Sequence, residues 1–341
     1  MPLFDLSTLV RAKKTGRIAV FVAGDHNIFF PALVALDSIQ KNNNKHPFDY
    51  YMSFSSEHLT DRMKQILAAH DITFLDVDEF DTHGSVSGLS AMHENRWPEE
   101  IFYNWIAPLY FAAQGYEYAL KVDYDILCLA EYELPKLTNP ASTFTGLAWD
   151  LDLTKQGLTK SHLDALDIPD FTAERVAYFN AGFVAINLNR YVEQDTYNKF
   201  KTIYALLQSQ ETAVNMAEQV ALSITAYLDP SPVARLDETY NTRITVLPQL
   251  SPDKQPIIRN IHYITQNKPW RAVDFRYLEG YTKSDKTCLY MYRNAWLKYA
   301  ADIDGFSEFI EISPPSELET IGMYSQIFAS HYRLAKTANK A

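Results

Sequence analysis

The stretch ALKVDYDILCL, residues 119–129, sets two aspartates, Asp123 and Asp125, one residue apart inside an otherwise apolar run. Read as a strand, the run sends alternate side chains to opposite sides, so the two aspartates share a side and Tyr124 takes the other. Adjacent carboxylates repel, and burial penalises both. A divalent cation between them relieves that repulsion, and hard oxygen ligands suit Mn2+ or Mg2+. Surface aspartates at a strand end, capping a helix, give the same short pattern. The meaning of D-x-D therefore depends on its surroundings.

Those surroundings alternate strand and helix. RIAVFVAG, residues 17–24, predicts a first buried strand, and FFPALVALDSIQKN a helix with Pro31 near its start. DYYMSFS and ITFLDVD predict further strands around the helix LTDRMKQILAAH, whose apolar face carries Leu59, Met63, Ile66 and Leu67. Such alternation indicates an α/β fold with a largely parallel sheet. In that fold ligands bind at the carboxyl edge of the strands, where the aspartates stand if their strand ends near Asp125. Residues 81–96 read as a loop. PEEIFYNWIAPLYFAAQG reads as a helix entered by Pro98 and kinked or broken at Pro108. YALKVDYDILCL is one strand, and TFTGLAWD another that ends at Asp150. Residues 151–175 read as loop, AYFNAGFVAINL as a strand, residues 195–228 as helical, IIRNIHYIT as a last strand, and the chain from about 282 onward as helical.

Composition narrows the function. The chain has 341 residues, 47% of them hydrophobic, so it can build a large core. A formal net charge of -11 argues against nucleic acid as a partner and weakens attraction to anionic membranes. No run reaches the ~18–20 apolar residues of a spanning helix. MPLFDLSTLVRAKKTG lacks the basic start and apolar centre of a secretory signal. Of the two cysteines, Cys128 reads as a small buried hydrophobe, and a cytoplasmic, reducing compartment is expected.

Other segments offer chemistry beside the aspartates. IHYITQNKPW carries His262, a candidate third metal ligand, and Lys268, a candidate phosphate contact. A satisfied histidine and a solvated lysine are the plainer readings. Gly182, beside Asn180 in YFNAGFVAINL, marks close approach of a ligand or backbone, or tight packing. Glu218 and Gln219 are polar neighbours in an apolar helical segment. AGDHN follows the first strand and could read a base or ribose, but it is neither G-x-G-x-x-G nor a Walker loop.

Taken in order, VAGDHN, LKVDYDILCL, YFNAGFVAINL, Glu218-Gln219 and HYITQNKPW resemble the family 8 retaining glycosyltransferases, the group that includes glycogenin and lipopolysaccharide galactosyl- and glucosyltransferases. The resemblance spans roughly residues 18–270. It implies a single GT-A type domain around a twisted mixed sheet, over residues 1–275, with a helical C-terminal extension over 276–341. It implies that Asp123, Asp125 and His262 hold Mn2+, with Mg2+ as the alternative, against the diphosphate of a UDP-sugar, and that Lys268 meets that diphosphate. Asp25 and Asn27 would line the nucleotide pocket with Gly182. Asn180, Glu218 and Gln219 would face the donor sugar, and Asp150 would lie near the acceptor or the sugar. There are departures. The family's arginine in a Y-x-R-L-like stretch is absent from YNWIAPLYF, its D-Q-D is here Glu218-Gln219-Val220, and the usual glycine between His and Lys is replaced around Thr265.

The expected activity is transfer of a hexose-type sugar to a hydroxyl of a glycan or glycolipid, with retention, in polysaccharide or lipopolysaccharide synthesis. Gln219 would lie beneath an oxocarbenium-like centre during front-face attack, with the departing diphosphate as base. An inverting transferase, a phosphoesterase and a catalytically silent nucleotide- or glycan-binding protein are the rival readings. Trp97, Trp105 and Trp149 are acceptor-site candidates among 5 Trp, 22 Tyr and 19 Phe, most of which should fill the core. Arg333, Lys336 and Lys340 raise a peripheral membrane contact for the C-terminal segment.

Overall fold

A computed structural model describes residues 13–76, 102–167, 176–209, 214, 216–244, 257–264, 268–271 and 283–310. Strand β1 (Ile18–Ala23) is buried along its whole length because it lies in the middle of a sheet covered on both faces. Its alternate residues serve two cores. Ala19, Phe21 and Ala23 enter one; Ile18, Val20 and Val22 enter the other.

From β1 the chain runs through α1 (Phe29–Asn42), β2 (Phe48–Phe54), α2 (Asp61–Ala69) and β3 (Ile72–Asp76). Pro31 falls in the first turn of α1, where its missing N–H costs nothing. Thr60 caps α2 by accepting from the Met63 N–H at 3.2 Å, and Met63, Ile66 and Leu67 are buried. Next come α3 (Tyr103–Ala113), β4 (Tyr118–Val122), β5 (Ile126–Cys128), α4 (Leu134–Leu137), β6 (Phe144–Leu151) and α5 (Lys160–Ala165). β7 (Val176–Asn187), α6 (Leu188–Glu193), α7 (Thr196–Ser209), α8 (Ala217–Tyr227), β8 (Ala234–Arg235), β9 (Thr242–Arg243), β10 (Asn260–His262), α9 (Lys283–Ala301) and α10 (Phe306–Phe309) complete the described chain.

Seven strands form one mixed sheet in the order β3-β2-β1-β4-β7-β6-β8. Strands β3 to β4 are parallel, whereas β7 runs antiparallel to both β4 and β6. A second sheet, β5-β10-β9, stands beyond the carboxyl end of β4. One face of the main sheet packs on α3, α6, α7 and α8, the other on α1, α2 and the end of α9. Trp296, Ala300 and Ile303 belong to the same core as Val20 and Leu33, and Phe309 packs at a tilt on Phe29 with ring centres 4.9 Å apart.

Several expectations change. Residues 118–129 form two strands in different sheets, not one, and Asp123, Tyr124 and Asp125 make the turn between them. Strand alternation is therefore not what aligns the carboxylates; the turn is. α3 passes through Pro108 without a break. The stretch after β6, read as loop, contains α5, capped by Thr159, whose side chain pairs with His162. α6 and the two-residue strands β8 and β9 were not expected. The loop at 81–96, Pro98, Trp97, and Arg333, Lys336 and Lys340 lie outside the described residues. Among the described residues no helix is long and apolar enough to cross a membrane.

Candidate active site

The Asp123–Asp125 turn is held from both sides. The Asp123 N–H donates to Gly182 O on β7 at 2.8 Å, and Asp125 O accepts from the Tyr263 N–H at 2.9 Å. Because β5 pairs antiparallel with β10, Ile126 stands opposite His262, and the imidazole comes to the carboxylates. His262 Nε2 lies 3.1 Å from Asp125 Oδ1 and 3.7 Å from Asp123 Oδ2. Ligand atoms of the three residues all fall within 4.8 Å of one another. On the other side of the turn, Tyr124 packs on Trp270.

These residues fit a divalent cation. Two ligands at right angles, each about 2.1 Å from an ion, are about 3 Å apart, close to the 3.1 Å between His262 Nε2 and Asp125 Oδ1. Asp125 is 5% exposed, and its buried Oδ1 receives no well-formed hydrogen bond. Such an orphaned acceptor is costly unless something else occupies it. His262 Nδ1 lies 2.8 Å from Asn241 Oδ1, so Nδ1 carries the proton and Nε2 presents its lone pair. Asn241 Nδ2 donates in turn to Asn180 Oδ1 at 2.8 Å, which also accepts from the Gly182 N–H at 3.0 Å. Gly182 is dictated by this histidine: a Cβ there would stand 2.7 Å from His262 Nδ1 and nearer still to Cε1.

Lys268 closes the cluster. Its ammonium meets Asp125 Oδ2 and donates to Tyr263 O at 2.7 Å. Burial pushes the Asp125 carboxyl up, yet the Lys268 ammonium holds it well below the usual carboxylate range. Lys268 therefore keeps it ionised, as a metal ligand must be.

Glu218 and Gln219 open α8, which packs against β7. Gln219 Oε1 accepts from the Ala181 N–H at 3.3 Å. Glu218 Oε1 accepts from Trp105 Nε1 at 2.8 Å, and burial pushes its carboxyl up against the opposing pull of Lys121. Trp105 is fully buried in the core, so it is not the acceptor platform the sequence suggested. Asp25 follows β1 and caps a short 3-10 turn, His26–Ile28, through Asn27 N–H at 2.9 Å. Asp150 is the last residue but one of β6 and pairs with Arg235 at 2.5 Å on the surface. Beside it the Arg243 guanidinium lies 4.8 Å over the Trp149 ring.

The structure thus brings together Asp123, Asp125, His262, Lys268, Gly182 and Asn180. It sets Glu218 and Gln219 on the opposite flank of Ala181, and Asp25 and Asp150 at the ends of their own strands. Sequence reasoning missed Asn241 and Lys121. Asn241 sits in the polar run TYNTR and carries no pattern. Lys121 did carry a signal, a charge inside an apolar strand that must have a partner.

No curated protein matches the chain. Solved structures do. The bifunctional glycosyltransferase WbbM in its apo form superposes with a TM-score of 0.58 at 15% identity, over 88% of this chain and 52% of WbbM, so the chain spans about half of that protein's length. The galactosyltransferase LgtC, solved with donor and acceptor sugar analogues, gives 0.56 at 14% identity over 88% of this chain and 98% of LgtC. The apo-form glycosyltransferase GlyE of Streptococcus pneumoniae TIGR4 gives 0.51 at 16% identity, over 89% of this chain and 66% of GlyE. These likenesses show a GT-A fold. Residues 19–274 match the family model for glycosyl transferase family 8, and the chain belongs to that family of transferases.

Proposed function

We propose that the protein moves a hexose-type sugar from a UDP-sugar to a hydroxyl of a glycan or glycolipid, with retention of configuration and with Mn2+ (or Mg2+) at the Asp123–Asp125–His262 cluster. The observation that carries this reading is the orphaned Oδ1 of Asp125 facing an imidazole whose Nε2 is kept free by Asn241. A bound divalent ion would neutralise charge that builds on a departing diphosphate.

The protein's own groups supply the rest. Lys268 can swing from Asp125 to a phosphate oxygen, adding a second positive centre for the leaving group. Gln219 offers an amide oxygen, which stabilises a positive sugar carbon without being a good nucleophile. That favours front-face attack with no covalent intermediate. Glu218, beside Gln219, is an acidic group of that flank, and its buried, raised carboxyl suits a role beside the sugar. Asp25 and Asn27 would line the nucleotide pocket. Asp150, paired with Arg235 at the sheet edge, would border the acceptor.

Calorimetric titration of UDP into metal-stripped protein, with and without Mn2+, tests the reading. Binding that requires Mn2+ is expected, followed by a screen of UDP-hexoses and assignment of the product anomer by NMR. UDP binding that ignores Mn2+ would remove the metal role, and an inverted product would remove retention.

A further inference from the structure

One cation in this region has no part in the activity proposed above. Lys121 lies on β4 and is only 2% exposed. A buried ammonium is costly unless charge and hydrogen bonds surround it. Strand alternation turns Lys121 away from the core that holds Leu120 and Val122, toward the face covered by α3 and α8. There its Nζ meets Asp123 Oδ1 and donates to Ala181 O at 2.6 Å, and it lies 5.9 Å from the centre of the Trp105 ring.

Each of those contacts leads into the site. The contact with Oδ1 leaves Asp123 Oδ2 facing His262 Nε2. The peptide whose carbonyl Lys121 holds belongs to Ala181, whose N–H is taken by Gln219. The indole beneath the ammonium donates its own N–H to Glu218. α3 itself, YNWIAPLYFAA, has no lysine or arginine, so no cation comes from that helix. Glu218 and Asp123 carry like charge, and Lys121 acts on both.

We propose that Lys121 is a positioning residue for sugar transfer. Its ammonium couples the metal-side carboxylate of Asp123 to the sugar-side pair Glu218–Gln219, so the two halves of the donor are read by one connected array of charge. This rests on the UDP-sugar reading of the site. It predicts that loss of the charge disturbs both metal binding and turnover, while its return from an arginine restores part of both.

The test compares wild type with Lys121→Met, which keeps length and removes charge, and Lys121→Arg, which keeps charge. Mn2+ alone is titrated and followed by the EPR signal of the free ion. UDP-hexose hydrolysis at saturating Mn2+ gives kcat and KM. Lys121→Met should shift Mn2+ affinity by about tenfold, the scale of one hydrogen bond to a charged group, and lower kcat more than it raises KM. Lys121→Arg should recover part of both. If Lys121→Met fails to fold, Trp105→Phe stands in: it removes the N–H that serves Glu218, and should lower kcat while leaving Mn2+ affinity alone. A folded Lys121→Met with wild-type Mn2+ affinity and kcat overturns the proposal, as does a Trp105→Phe with unchanged kcat. Wild-type protein that binds Mn2+ but no UDP defeats the donor reading instead, while the Mn2+ comparison still tests Lys121 against Asp123. Wild type that binds no Mn2+ overturns both.

Discussion

Two aspartates in this protein are equally buried and differently used. Asp37, on α1, is 2% exposed, and both of its oxygens are served. His70 Nδ1 reaches Oδ1 at 2.8 Å, while Tyr299 and Lys41 reach Oδ2 at 2.6 and 2.8 Å. Asp125, on the turn after β4, is 5% exposed; Lys268 serves Oδ2, but Oδ1 receives no well-formed hydrogen bond. Three separate helical segments converge on Asp37 and are tied by it. The groups around Asp125 leave one lone pair pointing into a cluster that fits an ion. The pair teaches that burial alone does not mark a site. A satisfied buried carboxylate fastens the fold, and a half-satisfied one waits for a ligand.

The sharpest way to break that contrast is to remove each carboxylate and read stability with and without Mn2+. Wild-type Tm should rise with Mn2+, because an ion that binds the native state alone stabilises it. In Asp125→Asn that rise should vanish, together with Mn2+-dependent UDP binding. Differential scanning calorimetry reads the first and isothermal titration the second. An undiminished Mn2+ response in Asp125→Asn would make Asp125 a second Asp37.

Asp37→Asn should do the reverse, lowering Tm while keeping the Mn2+ response. Burial would raise this carboxyl, but His70, Lys41 and Tyr299 hold it down to about 2. Against an unfolded value near 3.9 this is worth on the order of 2 kcal/mol. Because the folded value is depressed, the contribution is complete above pH ~4 and is lost as pH falls from ~4 toward about 2. Urea melts of wild type and Asp37→Asn should converge over that interval. Curves that stay parallel down to pH 2 would mean that Asp37 contributes no charge-linked stability.

How much of this was legible beforehand follows from where periodicity speaks. β1 and α1 were readable because long apolar patterns name both the element and its buried face. The break inside 118–129 was not, since Asp-Tyr-Asp contains no glycine or proline and both flanks are apolar and β-rich. β8 and β9, two residues each, are too short for any period to register. The residues of the candidate metal cluster could be named from their resemblance to a family pattern. What supports them could not, because Asn241 reaches His262 through a pairing of β9 with β10 that only the folded chain creates. Trp105 shows the opposite limit: an aromatic that sequence places near the site belongs to the core.

Gly182 gives the finest test, because it separates two meanings of His262. The ring could serve only as an ion-pair partner of Asp125, or its Nε2 could be a ligand. Gly182→Ala leaves every polar group of the cluster in place and adds one methyl. That methyl would stand 2.7 Å from His262 Nδ1 and 3.0 Å from Asn180 Oδ1, so the ring must move and its 2.8 Å bond to Asn241 must lengthen. Misdirecting a ligand through its support typically weakens metal binding about tenfold or more. If Nε2 is a ligand, Mn2+ affinity should fall by that factor, alongside a drop in metal-free Tm, because overpacking a buried site costs about 1–3 kcal/mol. If His262 merely balances charge, a small displacement leaves its attraction for Asp125 nearly intact, and Mn2+ affinity should hold. A crystal structure of Gly182→Ala with a shifted ring and unaltered Mn2+ affinity would therefore remove His262 from the ligand set and leave Asp123 and Asp125 to hold the ion.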